Sequence, residues 1–136
     1  TWGNVSSLDF AGFMSRDKLQ DTYASTDCLV FPSRIETWGL PISEFLPYNR
    51  PMLLSDLPFA HETAAGAGAV GFFDPSSAVA LADAMERVLR GDHTQLQPVP
   101  QRPLQAPSAR SWSELFELLL SDDEATQSNS FTQPTP

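Results

Sequence analysis

The apolar residues fall into short continuous runs that alternate with helix-length stretches. Val5–Phe10, Cys28–Phe31, Met52–Ser55 and Ala69–Phe73 are the four runs. Compact apolar runs of this kind suit strands covered on both faces, as in parallel sheets. Between the first two, Ser15 is placed to cap a helix from Arg16 to about Ser25, with Asp17 in its first turn and Leu19 and Tyr23 on its buried face. A second helix starts near Leu40 and carries Ile42, Phe45 and Leu46 on one side. Asn49 then offers a residue that tolerates a left-handed exit before Pro51. Leu57-Pro58 turns the chain into a short helical segment, Phe59–Thr63. The clearest helix follows Ser76 or Ser77, where Val79, Leu81, Ala82, Met85, Val88 and Leu89 keep the 3.6-residue period and Gly91 stands at the expected C-terminal cap.

Strand and helix therefore alternate, which predicts an α/β fold: a Rossmann-like parallel sheet of about four strands, joined by right-handed crossovers, with helices on both faces. In such sheets ligands bind beyond the carboxyl ends of the strands. Pro32–Leu40, Asp56–Pro58 and Asp74–Pro75 are the connections at that edge. Residues 91–110 are rich in proline and glutamine and predict an irregular surface connection. Ser111-Trp112-Ser113-Glu114 is a capping box that starts a docking helix with Leu115, Phe116, Leu118 and Leu119. The expected division is an ordered domain over 1–120 and an acidic, disordered tail over 121–136.

Charge narrows the partners. Seventeen acids against eight bases give a net charge of −9 and a pI near 4.4, which argues against nucleic acid and against a polybasic hold on lipid. A single cysteine, Cys28, allows no internal disulfide, fits a reducing compartment and reads as an apolar filler in its strand. No run approaches the roughly twenty apolar residues of a membrane span. Thr1-Trp2-Gly3-Asn4 reads as the interior of a longer protein.

Candidate chemistry concentrates at the turn after the second apolar run. Glu36 and Glu44 bracket it with seven residues between them, near the start of a helix. Paired carboxylates can accept from the hydroxyls of a sugar or a ribose. Gly39 allows close approach to the backbone, Pro41 suits the first helical position, and the amides of Gly39 and Leu40 are left to meet an anion. Taken alone, the pair reads equally as a solvated loop acid and an acid stabilised by a helix dipole. His61 beside Glu62 has the look of a base and its orienter, yet no nucleophile or metal-ligand spacing accompanies it.

The ordered series Gly12-Phe13, Tyr23-Ala24-Ser25-Thr26-Asp27, Phe31-Pro32-Ser33, Glu36-Thr37-Trp38-Gly39-Leu40-Pro41 with Glu44, Ser55-Asp56-Leu57-Pro58 and Phe73-Asp74-Pro75 resembles the group-one (family four) retaining glycosyltransferases of the GT-B fold. The resemblance runs from about Val5 to Leu120 and covers the C-terminal portion of the donor-binding domain. It implies a nucleotide-diphosphate sugar as substrate, no separate cofactor and no essential metal. Glu44 is then expected on the ribose hydroxyls, and Glu36 on the donor sugar at the catalytic centre, with neither required to transfer a proton. Thr37, Trp38, Gly39 and Leu40 complete the donor-binding set. Trp38 stands where the family more often has phenylalanine, and Phe45–Arg50 replaces its usual small-residue segment, a pattern similar to enzymes of bacterial surface polysaccharide synthesis.

The implied partners are a glycan or lipid-linked acceptor and an N-terminal acceptor domain, and the resemblance implies that the basic residues for the diphosphate also lie upstream of Thr1. The implied location is cytoplasmic, at the inner face of the membrane, and residues 1–136 alone are expected to be inactive. The alternative is a non-catalytic α/β interaction module from a truncated glycosyltransferase. A phosphoacceptor receiver is excluded, because no lysine follows Ser55 or Phe73 and Pro32-Ser33 follows Phe31.

Overall fold

The computed structural model describes residues 7–101, 103, 108–109 and 111–127, with side chains described as far as Leu120. The chain divides into two units, residues 1–101 and 102–136. The first unit holds three parallel strands, β1 (Leu29–Phe31), β2 (Met52–Ser55) and β3 (Val70–Phe73), in the order β1-β2-β3. Leu29 faces Met52 across the first pair, and Ser55 faces Phe73 across the second.

The predicted α/β class is therefore found, with three strands where about four were expected. In the first predicted run, residues 7–10 form no strand, while Val5 and Ser6 lie outside the described residues. Leu8 and Phe10 are exposed, and the outer edge of β1 has no partner strand among the described residues. An unpaired strand has no ladder to stabilise it, so the apolar content of residues 7–10 does not by itself make them a strand.

Helices cover both faces. The α1 helix (Arg16–Ser25) is capped by Ser15, whose hydroxyl accepts from Lys18 N. Together with α2 (Leu40–Phe45) and α3 (Pro58–Thr63) it contributes to a core in which Ile42, Phe45, Met52, Leu54, Ala60, Ala64 and Val70 are buried. On the other face, α4 (Ala78–Leu89) packs Leu81, Ala84 and Val88 against Leu53 and Phe73. Its predicted apolar face is narrower in fact, since Val79, Met85 and Leu89 are exposed. Ser77 caps this helix, and Gly91 follows it with a φ of 74°, the left-handed position that glycine takes without penalty.

Pro47 changes the end of α2. A proline has no N–H to bond back along an α-helix, and the chain tightens into a 3₁₀ turn over Leu46–Tyr48 before Asn49 exits with a φ of 50°.

The connection after α4 is more ordered than its proline content predicts. Gln97 bridges Val70 through two 2.9 Å backbone bonds, and Val99 N bonds Ala67 O. This segment covers the start of the outer edge of β3 and satisfies the backbone groups of Val70.

In the second unit, α5 (Trp112–Gln127) starts at Ser111, whose hydroxyl accepts from Glu114 N at 3.2 Å, one arm of the predicted capping box. Its backbone remains helical through Gln127, seven residues past Leu120, into the stretch expected as a tail; residues 128–136 lie outside the described ones.

Leu54 sits at the centre of the sheet and is fully buried. Leu54→Ala should lower the unfolding free energy by about 2–5 kcal/mol, the usual cost of such a cavity, as measured by urea denaturation.

Candidate functional site

The loop from Pro32 to Gly39 leaves the carboxyl end of β1 and enters α2, so it lies at the ligand edge of the sheet. Its geometry is set at the far end. Gly39 is buried with a φ of 78°, and a Cβ there would meet Ile42 Cδ1 at 3.2 Å and the Phe59 ring at 3.5 Å. Only glycine fits both the left-handed backbone and the close approach. The Thr63 hydroxyl of α3 donates to the Trp38 carbonyl and ties the loop down one residue earlier. Trp38 and Leu40 on either side keep their side chains exposed.

The two glutamates are each engaged by a protein hydroxyl. Ser33 Oγ contacts Glu36 Oε1 at 3.0 Å and the Ile35 carbonyl at 3.2 Å. Tyr23, from α1, donates to Glu44 Oε2 at 3.4 Å. Both carboxylates belong to exposed residues. Thr37 is exposed in the same loop.

Two details depart from the sequence expectation. Leu40 is the first helical residue and Pro41 the second, still within the turn that tolerates a missing N–H. Glu44 is the fifth of only six residues in α2, and the first turn of that helix holds no acid. It therefore does not sit at the positive end of a helix dipole, which acts within the first turn.

Other polar groups collect at the same edge. Asp56 follows β2 and its carboxylate accepts from His61 Nε2 at 2.7 Å; the imidazole stacks on Phe72 at 3.7 Å. His61 thus pairs with Asp56, and not with Glu62 beside it in sequence. Asp74 follows β3 and takes the amide and hydroxyl of Ser76 at 2.8 and 2.6 Å. Those bonds hold its carboxyl below the usual range, with the Arg34 charge adding to the effect.

Arg34 is the loop's own cation. Arg50 is bound instead to the Thr26 carbonyl at 2.7 Å, and Arg87 to Asp92 at 2.9 Å, at the opposite, amino end of the strands. The apolar cavity of about 280 Å³ lined by Cys28, Val30, Leu53 and Val88 lies at that amino end as well. Burial pushes the Cys28 thiol up, away from a reactive thiolate. Among the described residues no group of three or more His, Cys, Asp or Glu could hold a metal ion.

A family model described as "Glycosyl transferases group 1" matches residues 3–102, most of the chain and nearly the whole first unit. The chain belongs to this family. A group 1 glycosyltransferase handles a sugar donor and an acceptor. No curated protein and no solved structure matches the chain. No helix among the described residues is long and apolar enough to cross a membrane.

Sequence reasoning missed the hydroxyl of Ser33 and, on α1, that of Tyr23. The helical spacing of Tyr23 marks it as core, and its ring is core; the hydroxyl that reaches Glu44 has no sequence signature beyond the choice of tyrosine over phenylalanine.

Gly39→Ala must place a left-handed alanine between Ile42 and Phe59. It should destabilise the chain by about 1–2 kcal/mol from the backbone alone, read as a fall in melting temperature, whereas Gly12→Ala, at a glycine with nothing within 4 Å of the added carbon, avoids the packing clash and should cost less.

Proposed function

We propose that the turn from Glu36 to Glu44 binds a nucleotide-diphosphate sugar, as the donor half of a retaining GT-B glycosyltransferase of family four. The observation that carries this reading is the state of the two carboxylates. Each already accepts from a protein hydroxyl, Ser33 on Glu36 and Tyr23 on Glu44. Sugar and ribose hydroxyls offer the same kind of bond.

In this reading Glu44 takes the ribose hydroxyls and Glu36 the hydroxyls of the donor sugar at the reacting centre. The amides of Trp38, Gly39 and Leu40 face the diphosphate or the sugar, held by the Gly39 turn and the Thr63 tether. As the bond from sugar to phosphate breaks, negative charge grows on the leaving diphosphate, and fixed N–H donors stabilise it without reorganising. Neither glutamate has to move a proton. With a net charge of −9 the chain brings little to neutralise a diphosphate, so the main cations belong to another part of the parent protein, with the acceptor domain. The acceptor is a glycan or a lipid-linked saccharide at the inner membrane face, in bacterial surface polysaccharide synthesis.

The tests use the parent protein, with UDP-glucose and GDP-mannose as calorimetric probes. Glu44→Ala removes hydrogen bonds to a charged acceptor and should weaken nucleotide binding about 10- to 100-fold; unchanged affinity would sink the ribose assignment. Glu36→Ala should lower kcat by about tenfold or more while nucleotide affinity moves far less; equal loss of both would contradict its place on the sugar. A parent protein that binds neither probe would favour the non-catalytic module.

A further inference from the structure

Tyr23 joins the aromatic core to the candidate site. Its ring is 9% exposed, edge-on to Phe45 at 5.6 Å and tilted on Tyr48 at 6.1 Å. Its hydroxyl leaves that cluster and meets Glu44 Oε2. Burial raises the Tyr23 pKa and the Glu44 charge raises it further, so at neutral pH the phenol is protonated and donates.

Both ends of this contact are fixed independently of it. The C-terminal half of α1 is anchored where Tyr48 Oη donates to the Gln20 carbonyl at 3.2 Å and where Arg50 donates to the Thr26 carbonyl at 2.7 Å. Phe45, next to Glu44, is fully buried and sets the roll of α2. Between them lies the exposed Glu44 side chain, a rotamer-rich group whose ordering costs conformational entropy on binding.

We infer that Tyr23 is a positioning residue for the donor site: its hydroxyl fixes one oxygen of the Glu44 carboxylate so that the remaining lone pairs meet the vicinal diol of a ribose. The inference rests on the donor-binding reading above. A carboxylate has about four lone-pair sites. Tyr23 occupies one, which leaves enough for both hydroxyls of a diol. At 3.4 Å the contact is longer than the usual O–H···O bond, and contacts of this kind tighten when the ligand arrives.

The experiment measures, by calorimetry on the parent protein, the affinity ratio between UDP or GDP and its 2′,3′-dideoxy counterpart, whichever base binds. Wild type should prefer the ribose form by about tenfold or more, and Tyr23→Phe, which keeps the ring, should cut that preference roughly three- to fivefold while leaving the dideoxy affinity unchanged. In a Glu44→Ala background Tyr23→Phe should change nothing further. Both affinities come from the same protein sample, so any loss of folded fraction cancels in the ratio.

If Glu44→Ala loses the preference and Tyr23→Phe keeps the wild-type ratio, Tyr23 only packs and the positioning role is overturned while the ribose assignment stands. If Glu44→Ala itself keeps the ratio, the ribose assignment fails and the positioning role falls with it.

Discussion

The candidate site depends on one tight packing constraint, the left-handed turn at Gly39. A parallel strand that ends at Phe31 must pass its chain over the sheet edge and back into α2 within nine residues, 32 to 40. The turn closes because Gly39 takes a left-handed φ of 78°, with Ile42 and Phe59 close enough that an added Cβ would meet them at 3.2 and 3.5 Å. Ile42 and Phe59 both belong to the larger core, so the loop is fixed by the same packing that fixes α2 and α3 on the sheet. Thr63 adds a bond from α3 to the Trp38 carbonyl. The polar residues of the loop can then remain exposed and still be held, since the backbone beneath them is not free to move. This is a common division of labour, in which a packed scaffold positions a loop that carries the chemistry.

Charge is distributed along the sheet axis in a way that bears on what the site can bind. The amino end of the strands holds Arg50 and Arg87, each committed to a carbonyl or a carboxylate. The carboxyl end holds Glu36, Asp56 and Asp74, with Arg34 as the cation of the loop, and Glu44 follows near the end of α2. The acids there are paired with hydroxyls, an imidazole or amides more than with fixed positive charge. Such an edge suits neutral, hydroxyl-rich groups. Under the proposed donor-binding reading, a diphosphate at this acidic edge would need cations from elsewhere in the parent protein.

Much of this was legible in the residues. The caps at Ser15 and Ser77, the exits at Asn49 and Gly91 and the central strand Met52–Ser55 all follow from local chemistry that acts over a few residues, while the family is legible only as a resemblance carried by an ordered series of motifs. What failed to show needed partners distant in sequence. The run Val5–Phe10 looks like a strand because its composition does, but residues 7–10 find no neighbour to pair with. Gln97 and Val99 look like loop because of the prolines around them, yet the open edge of β3 recruits them through backbone groups that composition does not report. His61 was read against Glu62, its neighbour in sequence, whereas the short helix turns it back to Asp56. At the site, Gly39 and both glutamates stand out as residue types; the hydroxyls of Ser33 and Tyr23 that engage them do not.

The length of α2 decides which electrostatic account of the site is tenable. A long helix beginning at Leu40 would present a macrodipole to an anion, and Glu44 near its start would share in it. The actual helix has six residues before Pro47 forces a 3₁₀ turn, and too few peptide dipoles align to make a strong field. Any stabilisation of a leaving diphosphate must therefore come from individual amides aimed at it, which places the burden on the exact path of Trp38, Gly39 and Leu40. That path is what Gly39 and Thr63 fix. Glu44, for its part, gains no help from a dipole; the direct contact it makes is with the Tyr23 hydroxyl. The shortness of one helix thus shifts the load from a collective field to two specific pieces of packing, one under the loop and one beneath the second carboxylate.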